Sequence, residues 1–276
     1  MILVELRKLL LRPRMWVSVL VLCALPAVVA VFLATTHLSP PPGQGAAFLS
    51  AVERNGSLFP AAALALILPI FLPVAVATFA GDAVAGESAQ GTLRYLLIRP
   101  VGRTRLLVAK LVGIAVFIIV CIALVVVSSY LVGTGLFGTG AGQAVGQPGG
   151  VTSLSGGSLT PVELAIRLLA AIGYIVVCML GVGVIALCFS TLTDSGLGAA
   201  LGTLAVLITS EVLTTLDAAN AVKPYLPTNY WLAWIDFFRQ PVFWYNIDKG
   251  LLVQLAYLVV FFGAAWANLS TKDVTS

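Results

Sequence analysis

GDAVAGESAQGTLRYLLIRPVGRTRLLVAK, residues 81–110, is the one long polar and strongly charged stretch that lies between two very apolar ones. It holds five of the fifteen basic residues, Arg94, Arg99, Arg103, Arg105 and Lys110, with Asp82 and Glu87 near its start. Residues 87–97 have the spacing of a short helix, with Leu93, Leu96 and Leu97 on one side and Glu87 and Arg94 towards another. Arg99 precedes Pro100, which disfavours the helical region for Arg99 and ends that helix. Val101 and Gly102 then turn the chain back towards the apolar run that opens at Leu106. The stretch therefore reads as a short helix lying across a membrane surface between two spans, a handle for a soluble partner.

The flanking composition requires the membrane. Of 276 residues, 60% are hydrophobic and 9% charged, with a mean hydropathy of +1.06. A soluble domain carries about 25% charged residues, and apolar runs of roughly 20 residues are long enough to cross a ~30 Å hydrocarbon core. The expected fold is all-α and polytopic. It is a single domain over residues 1–276 with six transmembrane helices at about 16–36, 60–80, 106–132, 161–189, 196–216 and 250–269. Net charge +4 and a pI near 9.0 do not point to nucleic acid, because the basic residues cluster at the ends of apolar runs as orientation signals do. Cys23, Cys121, Cys178 and Cys188 all fall inside spans, without metal-ligand or disulfide spacing.

Residues 1–14 form an interfacial amphipathic helix, with Ile2, Leu3, Leu6, Leu9 and Leu10 on one face and Glu5, Lys8 and Arg12 opposite. Pro13 separates it from the first span. That span is too long for a signal-peptide core and lacks a small-residue cleavage site, so it is read as uncleaved. Pro69 and Pro73 each remove a backbone donor and kink the second span. Residues 133–160 are rich in Gly and Ser and free of charge until the next span, and read as a flexible loop without a core of its own. Thr160-Pro161-Val162-Glu163 opens the fourth span with an N-cap and a proline in the first turn, and Glu163 and Arg167 are spaced to pair. Gly198 and Gly202 give the fifth span a small-x-x-x-small packing face.

Glu211 is the clear acid within a span. About 15 residues from that span's start, it lies roughly 22 Å along, near the outer interface. It is either a polar contact in a substrate path or a side chain that reaches headgroups and water. Residues 217–249 concentrate Tyr225, Tyr230, Trp231, Trp234, Phe237, Phe238, Phe243, Trp244 and Tyr245. Aromatic rings favour the headgroup level, so this is expected to be a short re-entrant or interfacial segment in the outer leaflet. His37 stands alone at a span end. Gly86 and Gly91 have phosphate-loop spacing, but Thr92 stands where the lysine belongs, so no nucleotide site is legible.

Glu87, Gly91-Thr92-Leu93, Leu96-Leu97, Pro100, Arg103, Leu106-Leu107 and Lys110 stand in an order and spacing that resembles the cytoplasmic loop of ABC-2 type permeases. These are the membrane subunits of ATP-binding-cassette exporters, and their pattern reads roughly E-x-x-x-G-T-L-x-x-L-L-x-x-P-x-x-R-x-x-L-L-x-x-K. The match spans residues 87–110, and the number and order of spans agree with it. Arg99 stands where the family often has a small polar residue, and Gly102 where it often has Ser. The resemblance implies a cytoplasmic coupling helix between spans 2 and 3, inside the loop 81–105. Glu87, Gly91, Thr92, Leu93, Arg94, Leu96, Leu97, Arg99, Pro100 and Arg103 would be the ATPase-coupling residues. It further implies two cytoplasmic ABC ATPase subunits and a second permease subunit, identical or homologous, as partners besides membrane lipid. This chain would itself be no enzyme and hold no cofactor or metal, with ATP and Mg on the ATPases.

With six spans both termini share a side. Arg7, Lys8, Arg12, Arg14, Arg94, Arg99, Arg103, Arg105, Lys110 and Lys272 gather there, against Arg54, Arg167, Lys223, Arg239 and Lys249 at the other. By the positive-inside rule the termini and central loop are cytoplasmic; the expected location is the plasma membrane, of a bacterial cell. Few charges in the spans point to a hydrophobic or amphipathic substrate, and the resemblance implies export. A secondary transporter or channel would carry ionisable residues near the midplane. The remaining class is a non-transporting scaffold subunit.

Overall fold

The structure is a computed structural model that describes residues 13–36, 48–52, 55–89, 103–139, 151–152 and 158–271. The expected interfacial helix at the start of the chain and most of the central loop lie outside them. Seven helices carry the fold: α1 (Pro13–Thr36), α2 (Phe59–Ile67), α3 (Phe71–Ala89), α4 (Arg103–Phe137), α5 (Pro161–Leu192), α6 (Gly196–Thr215) and α7 (Trp244–Thr271). Shorter pieces join them, among them a helical turn at Leu49–Val52 and a 3-10 helix at Trp231–Phe238. Within the 133–160 connection, β1 (Val151–Thr152) and β2 (Ser158–Leu159) form a two-rung antiparallel ladder that composition did not reveal.

Among the described residues five helices, α1 and α4 to α7, are long and apolar enough to cross a membrane. α2 and α3 pass the same test only together, as a pair bent by 60° that brings the number of candidate spans to six. Helices of that length and apolarity suit a membrane-embedded protein. The bend falls where Pro69 interrupts the backbone ladder, as expected. α2 has 9 residues, about 13 Å of helix, too short to cross alone.

The boundaries differ from the sequence reading in an informative way. α3 runs on to Ala89 rather than ending near residue 80, so Asp82 and Glu87 ride on a helix instead of opening a loop. α7 begins at Trp244, taking Trp244, Tyr245 and Lys249 out of the aromatic connection.

α5 is the centre of the bundle: α3, α4, α6, α7 and the Trp231–Phe238 helix all pack on it. In its most apolar window 56% of residues are buried, against 17% for α7. Its N-terminus carries the capping box read from sequence, with Thr160 Oγ1 accepting from Glu163 N (3.2 Å) and Glu163 Oε2 accepting from Thr160 N (2.9 Å). Exposed apolar side chains such as Leu20, Leu201 and Leu252 form the outer surface, which a lipid solvent permits.

A close backbone approach sets the spacing between α4 and the turn before α2. Gly56 N donates to Gly138 O (3.0 Å), and Gly56 lies directly against Gly133 of α4. A Cβ on Gly133 would stand 2.5 Å from both Gly56 O and Phe59 Cβ, whereas one on Gly135 would meet nothing within 4 Å. Gly133→Ala is expected to cost about 2 kcal/mol of stability. Gly135→Ala, its control on the same helix, should leave the thermal aggregation midpoint of the solubilised protein unchanged.

Candidate functional site

The ends of α3 and α5 and the starts of α4 and α6 meet in a polar collar, and it frames the loop from which the sequence reading began. Its centre is Ser190, 1% exposed near the end of α5. The hydroxyl donates to Gly81 O (2.6 Å) and accepts from Val84 N (3.0 Å) and Ala85 N (2.9 Å) of α3. Gly81 O is also the acceptor that Ala85 N–H faces in the α-helical pattern. A side chain of one helix is thus hydrogen-bonded to the backbone of another, which stays helical through Ala89.

One turn further on, Glu87 Oε1 accepts from Lys110 Nζ of α4 at 2.5 Å, with both side chains about 95% removed from solvent (4% and 5% exposed). Burying two charges costs several kcal/mol per ion, which the pair recovers only by staying together. Ser88 Oγ donates to Asp194 Oδ1 (2.8 Å) in the α5–α6 turn. Asn268 Nδ2 of α7 donates to Thr191 O (2.8 Å), and Trp266 Nε1 to Thr104 Oγ1 (2.9 Å) at the head of α4. The two helices that flank the central loop are thereby tied to each other and to α5 and α7.

α3 and α6 touch backbone to backbone beside the collar. A Cβ on Gly81 would lie 2.9 Å from both Ala200 N and Gly196 O. The small-residue face of α6 is real, but the close approach uses Gly196 and Ala200 rather than Gly198 and Gly202. Between α1, α3 and α6 a cavity of about 330 Å³ is lined by Met15, Ser18, Thr78, Phe79, Asp82 and Leu197, among others.

The opposite end is closed by the aromatic segment, whose rings divide into two groups. Trp231, Trp234, Phe237 and Phe238 are buried against the bundle, whereas Tyr225, Phe243, Trp244 and Tyr245 are exposed. Phe48 stacks on Trp234 (5.9 Å between centroids) and meets Phe238 edge-on (4.8 Å). Glu163 commits its carboxylate to the helix cap and meets Arg167 through its charge alone, not in a direct hydrogen bond. Arg167 Nη1 donates instead to Phe237 O and Arg239 O, both at 2.9 Å. Tyr174 Oη donates to Tyr230 O (2.7 Å) and Gln254 Nε2 to Pro227 O (2.7 Å). Half of the segment is therefore a lid held onto α5 and α7, and only the other half has the exposure of an interfacial belt.

Of the coupling residues read from sequence, Gly91, Thr92, Leu93, Arg94, Leu96, Leu97, Arg99 and Pro100 lie outside the described residues. Arg103 is the first residue of α4. Glu87 faces inward onto Lys110. Glu211 is exposed on α6, four residues before its end at Thr215, so it joins neither the collar nor the lid. Ser190, Thr191 and Asn268 escaped the sequence reading: single hydroxyls and an amide in apolar runs carry no periodic signal. Among the described residues no group of three or more His, Cys, Asp or Glu is placed to hold a metal ion.

A family described as a protein of unknown function, DUF2705, matches residues 24–275 of the chain. The chain belongs to that family. No curated protein matches it. The DUF2705 match takes in all of the collar and all of the lid, so the two polar ends belong to the shared domain and not to an appendage.

Proposed function

We propose that this DUF2705 chain is the membrane-spanning permease subunit of an ATP-binding-cassette transporter, an exporter of a hydrophobic or amphipathic substrate. Two cytoplasmic ATPases dock on the loop between α3 and α4, and a second permease subunit completes the assembly. The observation that carries this reading is the collar. Force applied to the 90–102 loop enters both flanking helices together, because Glu87–Lys110 ties α3 to α4 and Ser190 ties α3 to α5. Glu87 then acts from within, fixing the geometry of the loop's base, while Arg94 and Arg99 are the candidates for contact with the ATPase. The charge asymmetry supports cytoplasmic termini, and the fifteen basic residues divide ten to five between the two ends.

Affinity purification of the full chain from its native membrane tests the reading. Expected is co-purification of an ATPase with a phosphate-binding loop, reduced about tenfold by Arg94→Glu, which removes and reverses a charge-assisted contact. Recovery of the chain without any such ATPase, in membranes where both genes are expressed, rejects it. Asp82 on α3, at the cavity between α1, α3 and α6, favours one competing reading, an ion-coupled secondary transporter. That reading requires transport abolished by collapsing the ion gradient at constant ATP.

A further inference from the structure

The lid holds a second polar arrangement, distinct from the collar. Asp236 is 7% exposed at the end of the Trp231–Phe238 helix, and both its carboxylate oxygens are engaged. Oδ1 accepts from Arg239 Nε at 2.8 Å, and Oδ2 accepts from Asn246 Nδ2 of α7 at 3.0 Å. The arginine is thus held by its inner nitrogen, and its side chain remains 57% exposed. Its Nη1 and Nη2 make no hydrogen bond to any described residue. Beside them is a depression of about 420 Å³ lined by Asn229, Tyr230, Asp236, Arg239 and Asn246, among others. Immediately after it come Phe243, Trp244 and Tyr245, which are 53%, 57% and 59% exposed.

Each feature constrains the occupant. Two parallel guanidinium N–H donors fit two oxygens of a phosphate or carboxylate. A run of exposed aromatic rings at the end of a spanning helix marks the headgroup level of a bilayer, where phosphodiesters lie. The depression is lined by Arg239 and Asn246, on either side of these rings in sequence, and its volume of about 420 Å³ suits a headgroup, leaving acyl chains to the exposed apolar side chains of α7 such as Leu252 and Leu255. We propose that this depression binds the phosphodiester of a membrane phospholipid, gripped by Arg239 Nη1 and Nη2. Asp236 is the positioning residue that aims them, and Asn229 supplies a further polar contact. The lipid fastens the lid to the bilayer at the end of the protein remote from the collar.

The test uses the full chain, solubilised in mild detergent and analysed by native mass spectrometry after addition of phosphatidylglycerol, a phosphate-free diacylglycerol, or glycerol phosphate. Expected is retention of one phosphatidylglycerol per chain, no retention of diacylglycerol and no displacement by glycerol phosphate. Arg239→Gln should weaken retention about tenfold, while Arg239→Lys, which keeps the charge but loses the fork, should weaken it less. Lys223→Gln removes a cation from the same end of the protein, pairing loosely with Asp217 (3.9 Å), and should change nothing. Asn229→Ala, at an exposed position, gives a second reading if Arg239→Gln fails to fold, with a severalfold loss expected. Equal retention of phosphatidylglycerol by the wild type and by Arg239→Gln or Asn229→Ala overturns the proposal. So does equal retention of diacylglycerol, or displacement of the lipid by glycerol phosphate, which would make the site one for a free anion.

Discussion

Lys110→Met is expected to destabilise the folded bundle by about 3–5 kcal/mol, the cost of leaving one member of a buried ion pair without the other. Lys110 and Glu87 are 5% and 4% exposed and 2.5 Å apart, so water cannot take over from the missing ammonium without opening the α3–α4 contact. Glu87→Gln should cost less, because an amide oxygen still accepts from Lys110 Nζ. The double variant Glu87→Met/Lys110→Met should recover most of the loss, since removing both charges also removes both desolvation costs. The measurement is a double-mutant cycle on the temperature at which the solubilised protein aggregates, with surface expression as a second readout. Additive single effects would mean that the two side chains do not depend on each other, and the collar would lose its central tie.

The ion pair also shows how far residues alone can be read. Glu87 and Lys110 were both legible as members of a spaced pattern, 23 positions apart, yet nothing in that pattern says they face each other. The contact depends on α3 continuing to Ala89, and the sequence GDAVAGESA looks like a loop by its polarity. It stays helical because its polar groups are used: Ser190 meets its backbone, Lys110 meets Glu87, and Asp194 meets Ser88. Tertiary partners overrode local composition there. Where the signal was physical and local the reading was correct. Apolar run length picked out the helices long enough to span, Pro69 fell at the break between α2 and α3, and Thr160 with Glu163 marked the start of α5. The aromatic segment was half legible. Ring density announces an interface, but Trp234 and Phe238 are as aromatic as Trp244 and Tyr245, and only packing tells the buried from the exposed. Arg167 gives its hydrogen bonds to the lid's carbonyls, while Glu163 closes the capping box and feels Arg167 only through its charge.

Ser190→Val is expected to cost about 3 kcal/mol, and Ser190→Ala only about 1 kcal/mol, although both remove the same hydroxyl. In the alanine variant the space is left open. The backbone groups of α3 then fall back on the helix's own ladder. Valine fills that space with methyl groups, so Gly81 O, Val84 N and Ala85 N face apolar carbon in a site where the native residue is 1% exposed. The comparison separates packing from mechanism. If the tie between Ser190 and the backbone of α3 matters for motion of the 90–102 loop, Ser190→Ala will fold nearly as well as the wild type and yet lose several-fold in ATP-driven transport. Ser190→Thr, which keeps the hydroxyl, should lose less transport than alanine despite being the bulkier residue. Full transport by Ser190→Ala, in protein shown by aggregation temperature to be folded, would reduce the inserted hydroxyl to a packing detail. α3 would then transmit force as a plain rod, with Glu87–Lys110 alone joining it to α4.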